Sequence, residues 1–234
     1  MKNILIIGGF SSREIYFERL ISLLKKENNI FYIDFNDTDI DFDKKLIHFV
    51  DDNSLDNFEI IAWSMGGLVT LSAYKELKDR LNSITFISSM PKFCKSPDYK
   101  MGWNKRIVGF MIDKLASEPE IVLNDFNKSL IYNTPTFPFE PLKTDSTLVN
   151  NLTFGLKYLV ESDFRDKLST LQSKVLIIHG ENDTIAPITH ADFMLDNIHT
   201  DKNLLRIDNC AHMPFYSHAE TCYNKLLSFW KGEF

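Results

Sequence analysis

The chain has 234 residues, enough for one large domain whose core needs no disulfide or metal staple. Hydrophobic residues make up 44% and charged residues 25%, an ordinary globular balance, and the 19 phenylalanines point to a broad apolar core or a greasy pocket. The net charge of −6 argues against a nucleic-acid partner, because phosphate binding needs a basic footprint.

The N-terminal stretch MKNILIIGGFSS opens with an apolar run, Ile4–Ile7, that reads as a buried strand. It is too short for a membrane span of about 20 residues, so no membrane association is expected. Further runs of strand length recur at Ile30–Ile33, Glu59–Trp63, Ile84–Ile87, Val175–His179 and Leu204–Ile207. Runs that are apolar on both faces suit strands covered by helices on two sides. Helical patterns fall between them, at Glu14–Lys26, Met65–Leu77, His190–Ile198 and Glu220–Lys231. The alternation predicts an α/β domain with a mostly parallel sheet flanked by helices.

One segment breaks the alternation. Residues 91–167 carry helical patterns at Ile107–Leu115, Glu120–Ile131 and Thr147–Val160, with Pro135, Pro138 and Pro141 between the last two. The expected organisation is therefore a core built from 1–90 and 168–234, with 91–167 inserted as a helical lid. Cys94, Cys210 and Cys222 form no metal-ligand spacing and cannot all pair, so they read as free thiols of a reducing, cytoplasmic compartment.

The stretch AWSMGG places Ser64 between a buried strand and a helix, with small Ala62 and Gly66 two residues to either side. A sharp strand–turn–helix of this kind lifts a hydroxyl out of a sheet, and its usual pattern is G-x-S-x-G. Ala62 departs from that pattern but keeps the small size. A serine N-cap is the plainer alternative. A hydroxyl becomes a nucleophile only with a base to take its proton and an acid to orient that base. In VLIIHGENDTIAP, Asp183 follows a strand by four residues and supplies the acid, with Glu181 as a competing carboxylate. In LLRIDNCAHMPF, His212 follows the next strand and supplies the base. Of the other histidines, His48, His190 and His199 read as surface residues, His179 as a structural residue ending a strand, and His218 as a cap or a paired residue. Acyl transfer also needs oxyanion donors. The amide of Met65, after the nucleophile, and that of Phe10, in the loop IIGGFSS, are the candidates, and those glycines match no phosphate-binding pattern.

These motifs resemble the α/β-hydrolase superfamily, and within it the BioH family, the pimeloyl-[acyl-carrier protein] methyl ester esterases of biotin synthesis. The resemblance rests on AWSMGGLV, ISSMPKFC with a following tryptophan, LTFGLKYLVESDFRDKL and CAHMPFYSHAE. It implies a serine carboxylesterase cleaving a methyl ester, with Ser64, Asp183 and His212 as triad and Met65 and Phe10 as oxyanion donors. It places acyl contacts on Trp63 and on Phe126, Asn127, Lys128, Ser129 and Leu130. Trp63 reads equally as a pocket wall or as a plain core aromatic, whereas the polar neighbours Asn127, Lys128 and Ser129 favour a wall for Phe126. No metal or organic cofactor is implied. The implied partner is a small acyl ester, free or on an acyl carrier protein, and a monomer is expected. The chain departs from the family in carrying Gly8 and Phe10 where a histidine and tryptophan are usual, in lacking the leading hairpin, and in having few lid arginines. Lys92, Lys95, Lys100, Lys105 and Arg106 nevertheless form a basic patch at the start of the insertion, either a steering surface for an acidic carrier or a solvated face. The alternatives are a general short-chain carboxylesterase or thioesterase, a menaquinone-pathway lyase, and a binding protein on a hydrolase scaffold.

Overall fold

The computed structural model describes residues 1–37, 41–134 and 136–233. Strand β1 (Asn3–Ile7) leads through a short 3-10 turn (Glu14–Phe17) into α1 (Glu18–Leu24), and β2 (Asn29–Ile33) and α2 (Phe42–Asp52) follow. Then come β3 (Phe58–Trp63), α3 (Met65–Leu77) and β4 (Leu81–Ile87). The insertion contributes α4 (Lys105–Ser117), α5 (Pro119–Lys128) and α6 (Ser146–Glu161). The chain returns to β5 (Lys174–Gly180), α7 (Thr189–Asn197), β6 (Lys202–Ile207), α8 (Pro214–Ser217) and α9 (Ala219–Lys231).

The six strands form one sheet in the order β2-β1-β3-β4-β5-β6, and every neighbouring pair is parallel. This bears out the α/β architecture expected from the alternation of runs. Helices on both faces explain why β3 and β4 read as continuous apolar runs rather than alternating ones: every residue of β3 is buried. The outermost strands, β2 and β6, are only partly covered.

Two differences are local. The pattern over Glu14–Lys26 splits into the 3-10 turn and α1, and α2 forms from a charge-rich stretch that carries no strong apolar run. Its buried Phe42, Leu46 and Val50 recur at helical spacing and pack against the core. Of the three prolines predicted between the second and third helical patterns, Pro135 lies outside the described residues.

The two ends of the insertion meet. The Phe164 amide donates to the Pro91 carbonyl at 2.8 Å, and Lys92 Nζ lies 2.6 Å from Asp163 Oδ2. Arg165 adds ion pairs to Asp163 and to Asp98. Caps define the helices between these ends: Asn104 accepts from the Arg106 amide at the start of α4, and Asp145 from the Leu148 amide at the start of α6. The insertion also touches the core far from its ends, through Asn151 Nδ2 donating to the Asn36 carbonyl and the Met213 amide donating to the Leu130 carbonyl.

Chain order places the site. From β1 the chain goes to β2 on one side and comes back to β3 on the other, so the loops after β1 and β3 diverge at their carboxyl ends. Crevices at such reversals are where open α/β sheets bind ligands. Phe10 and Ser64 lie in those two loops.

Candidate active site

The turn after β3 is strained. Ser64 has φ 53° and ψ −120°, which for a residue with a side chain costs about 1–3 kcal/mol. The turn is held in that state by its surroundings: the Ser64 amide donates to the Ile87 carbonyl at 3.0 Å, and Ser89 Oγ donates to the Ser64 carbonyl at 2.9 Å. Gly66 has no room for a side chain, since a Cβ there would lie 2.5 Å from the Ile7 carbonyl oxygen. A Cβ on Gly9 would lie 2.9 Å from Ser64 Cβ, so the β1 loop is pressed directly against the serine. Ala62 is fully buried within β3, which tolerates the methyl that replaces the usual glycine.

The serine meets its partners. His212 Nε2 lies 2.9 Å from Ser64 Oγ, and His212 Nδ1 lies 2.7 Å from Asp183 Oδ2. The other carboxylate oxygen, Asp183 Oδ1, accepts from the amides of Ile185 and Ala186 at 2.9 Å each. Burial opposes ionisation of Asp183. The facing His212 and His179 outweigh it and hold the carboxyl below the usual carboxylate range. Glu181 turns away to Arg206 and takes no part. The arrangement suits proton transfer from a hydroxyl to an imidazole whose far nitrogen is fixed by a carboxylate.

Met65 opens α3, where the first amides have no acceptor within the helix. Among the described residues the Phe10 amide makes no backbone hydrogen bond. Both amides are thus free to face an oxygen at Ser64.

A cavity of about 320 Å³ leads from Ser64 toward the insertion. Phe10, Phe93, Trp103, Phe126, Leu156 and Ile185 supply apolar wall. Phe10 and Phe126 meet edge to face at 5.4 Å, and Phe93 stacks on Trp103, whose Nε1 donates to the Ile185 carbonyl. Ile107, Phe110 and Met111 of α4 continue the lining outward, and Phe110 is 71% exposed. Lys114, Asp125 and Ser129 are its polar members besides Ser64.

Of the residues expected to contact an acyl chain, Phe126 and Ser129 line this cavity, and Asn127, Lys128, Leu130 and Trp63 do not. Lys128 pairs with Asp125, and Leu130 is buried against the core. Trp63 lies fully buried behind the site, where its Nε1 donates to the His212 carbonyl at 2.8 Å. It therefore supports the His212 loop from the core side. Sequence reasoning missed Phe93, Trp103, Phe110 and Leu156 as lining residues. The available signal was the clustering of aromatics in the insertion beyond what its helices need for packing.

The histidines need one correction. His190, read as a surface residue because it begins a helical pattern, is fully buried, and its Nδ1 lies 2.6 Å from the Tyr99 hydroxyl. A loop from the insertion covers it, which local periodicity does not report. His48 and His199 are exposed as expected, and His179 is buried at the end of β5. All three cysteines are free and buried. In the basic patch, Lys92 is spent on Asp163, whereas Lys95, Lys100, Lys105 and Arg106 are exposed without an ion-pair partner among the described residues.

Comparison with known proteins agrees with this geometry. The family model described as "Serine aminopeptidase, S33" matches residues 28–218. A pimeloyl-[acyl-carrier protein] methyl ester esterase of Legionella pneumophila is 30% identical, with 70% of this chain and 67% of that protein covered. The protein of the same name from Nitrosomonas europaea is 26% identical, covering 72% and 71%. Among solved structures, an esterase from Exiguobacterium antarcticum superposes with a TM-score of 0.83 at 19% identity, over 99% of this chain and 92% of that one. A bromoperoxidase from Bacillus anthracis gives 0.81 at 18% identity, over 98% and 92%. At these identities the structural likenesses speak for the fold.

Proposed function

Because the chain belongs to the α/β-hydrolase family described as "Serine aminopeptidase, S33", we propose that it is a serine carboxylesterase acting on the methyl ester of a short acyl chain. The observation that carries this reading is the Ser64–His212–Asp183 relay, with links of 2.9 and 2.7 Å, at the floor of an apolar cavity. Ser64 Oγ attacks the ester carbonyl while His212 Nε2 takes its proton. Asp183 holds the imidazole in the tautomer this requires and balances the charge it gains. The amides of Met65 and Phe10 receive the developing oxyanion. Collapse of the tetrahedral intermediate expels methanol, which leaves with the proton returned by His212. Water, activated by the same imidazole, then releases the acid and restores Ser64.

An apolar wall argues for an acyl chain over a charged peptide end. An aminopeptidase must hold a protonated amine, and the cavity's one carboxylate, Asp125, is already paired to Lys128. The relatives named above make the pimeloyl ester of an acyl carrier protein the substrate we assign. The exposed Lys95, Lys100, Lys105 and Arg106, on the segment that carries the lining residues Phe93, Trp103 and Ile107, suit an acidic carrier. Residues 91–167 then act as the lid of the acyl site, and the enzyme works as a cytoplasmic monomer. No described helix is long and apolar enough to cross a membrane.

The test supplies methyl pimeloyl-carrier protein and follows release of the free acid, with Ser64→Ala as control. Demethylation that depends on Ser64 is the expected result. Hydrolysis of small aryl esters without demethylation retains the serine chemistry and discards the carrier. Turnover that survives Ser64→Ala removes the mechanism.

A further inference from the structure

The relay leaves two buried imidazoles unused. His179 ends β5 and His190 lies in the first turn of α7, and neither exposes any surface. His179 Nε2 is 2.6 Å from the Ala186 carbonyl oxygen and 3.5 Å from Asp183 Oδ2. A carbonyl only accepts, so Nε2 carries the hydrogen, and in the neutral imidazole Nδ1 is then a bare acceptor. Among the described residues that Nδ1 is buried without a partner, as is His190 Nε2.

We propose that His179 is a positioning residue of the triad: its Nε2–H, shared between the Ala186 carbonyl and Asp183 Oδ2, fixes the carboxylate that orients His212. The inference rests on the hydrolase reading above.

Three observations carry it. First, Asp183 Oδ2 faces two imidazoles, His212 Nδ1 at 2.7 Å and His179 Nε2 at 3.5 Å. Second, Ala186 is used twice, its amide on Asp183 Oδ1 and its carbonyl on His179, so a strand residue closes the loop that carries the acid. Third, an apolar side chain would fill the same space without stranding a buried Nδ1, which is costly; what the imidazole adds is the donor. Of the charged groups nearby, Arg206, which pairs with His179 across β5 and β6, is engaged by Glu181 and Asp192. Burial pushes the Cys210 thiol up to about 11 and the Tyr99 phenol further, and pushes His190 down to about 4. Asp183 is the anion that the His179 donor has to serve.

The experiment compares His179→Leu, which has no donor, with His179→Gln, whose amide nitrogen reaches the Nε2 position. Without the donor the carboxylate charge is less well stabilised and binds the His212 proton more firmly. The acid limb of the kcat/KM profile therefore moves to higher pH, by about one unit. The Leu variant should lose about tenfold to a hundredfold in kcat at unchanged KM, the range expected for a hydrogen bond to a buried charge. The Gln variant should recover most of the kcat and the position of the limb. The low-field proton resonance of His212 Nδ1–H reads the same interaction without turnover, and it should shift in Leu and return in Gln. If the Leu variant does not fold, His179→Asn, whose amide stops short of the carboxylate, takes its place. A wild-type profile and resonance in the donor-free variant overturn the proposal. So do equal losses in both variants with limb and resonance unmoved. Failure of the hydrolase reading shows separately, as turnover in the wild-type background that is indifferent to Ser64→Ala.

Discussion

The sheet edge that carries the triad and the helical insertion above it solve opposite problems. Around Ser64 every atom is constrained: the serine is backbone-strained, Gly66 is flush against the Ile7 carbonyl, and Asp183 is held through both oxygens. In the insertion, by contrast, Ile107, Phe110 and Ile121 remain 47–71% exposed, and the helices make few polar contacts with the core beyond their stapled ends. The first region leaves one geometry available, which is what bond-making chemistry needs. The second presents apolar surface to whatever enters, which selects a ligand by shape and greasiness. Under the proposed function, reaction and selectivity are carried by different parts of the chain.

That division can be broken from either side. The largest effect belongs to Ser64→Ala, which should lower kcat at least about a thousandfold and leave the melting temperature unchanged or raised, because a strained turn loses no packing. Gly66→Ala should destabilise by about 1–3 kcal/mol in denaturant titration, since its methyl would overlap the Ile7 carbonyl. The same substitution at Gly109 of α4, where no described atom would lie within 4 Å of the added methyl, should stabilise by a few tenths of a kcal/mol to about 1 kcal/mol. On the substrate side, Phe126→Ala should raise KM for acyl esters about tenfold with kcat nearly kept, matching the loss of one apolar wall.

Stability against pH sharpens the comparison. Burial depresses His190 to about 4 from its ordinary 6.5, so the unfolded chain takes up a proton that the folded one refuses. The contribution is complete above about pH 6.5 and is lost as pH falls toward 4. Replacing His190 with Gln, which can still accept from Tyr99, should make the melting temperature fall less steeply over that window. Asp183, held below the usual range, acts in a lower window: its contribution is present above about pH 4 and lost on acidification below that. The smallest effect is expected for Phe110→Ser, which should change stability by less than about 0.5 kcal/mol and affect only the longest acyl chains.

What could be read in advance follows the same line. Ser64, Asp183 and His212 are legible because each follows an apolar run of strand length, and a parallel sheet brings the ends of such runs together. Phe93 and Trp103 are not, because their loop has no period; isolated bridges such as Cys94 with Trp103 hold it in shape. The resemblance places Trp63 in the acyl site, but it is fully buried and faces the core. His190 was misread because the Tyr99 loop that buries it is contributed by a distant part of the chain.

The separation of the triad along the chain also sets a schedule. Ser64 and His212 are 148 residues apart, and β4 must wait for β5 until the whole insertion has been synthesised. A ribosome therefore releases the proposed nucleophile long before the proposed base, and pairings so remote in sequence form slowly. The nascent chain carries an inert serine through most of its synthesis. In refolding, esterase activity should be the last signal to return, after helical circular dichroism, which makes turnover a direct clock for closure of the sheet.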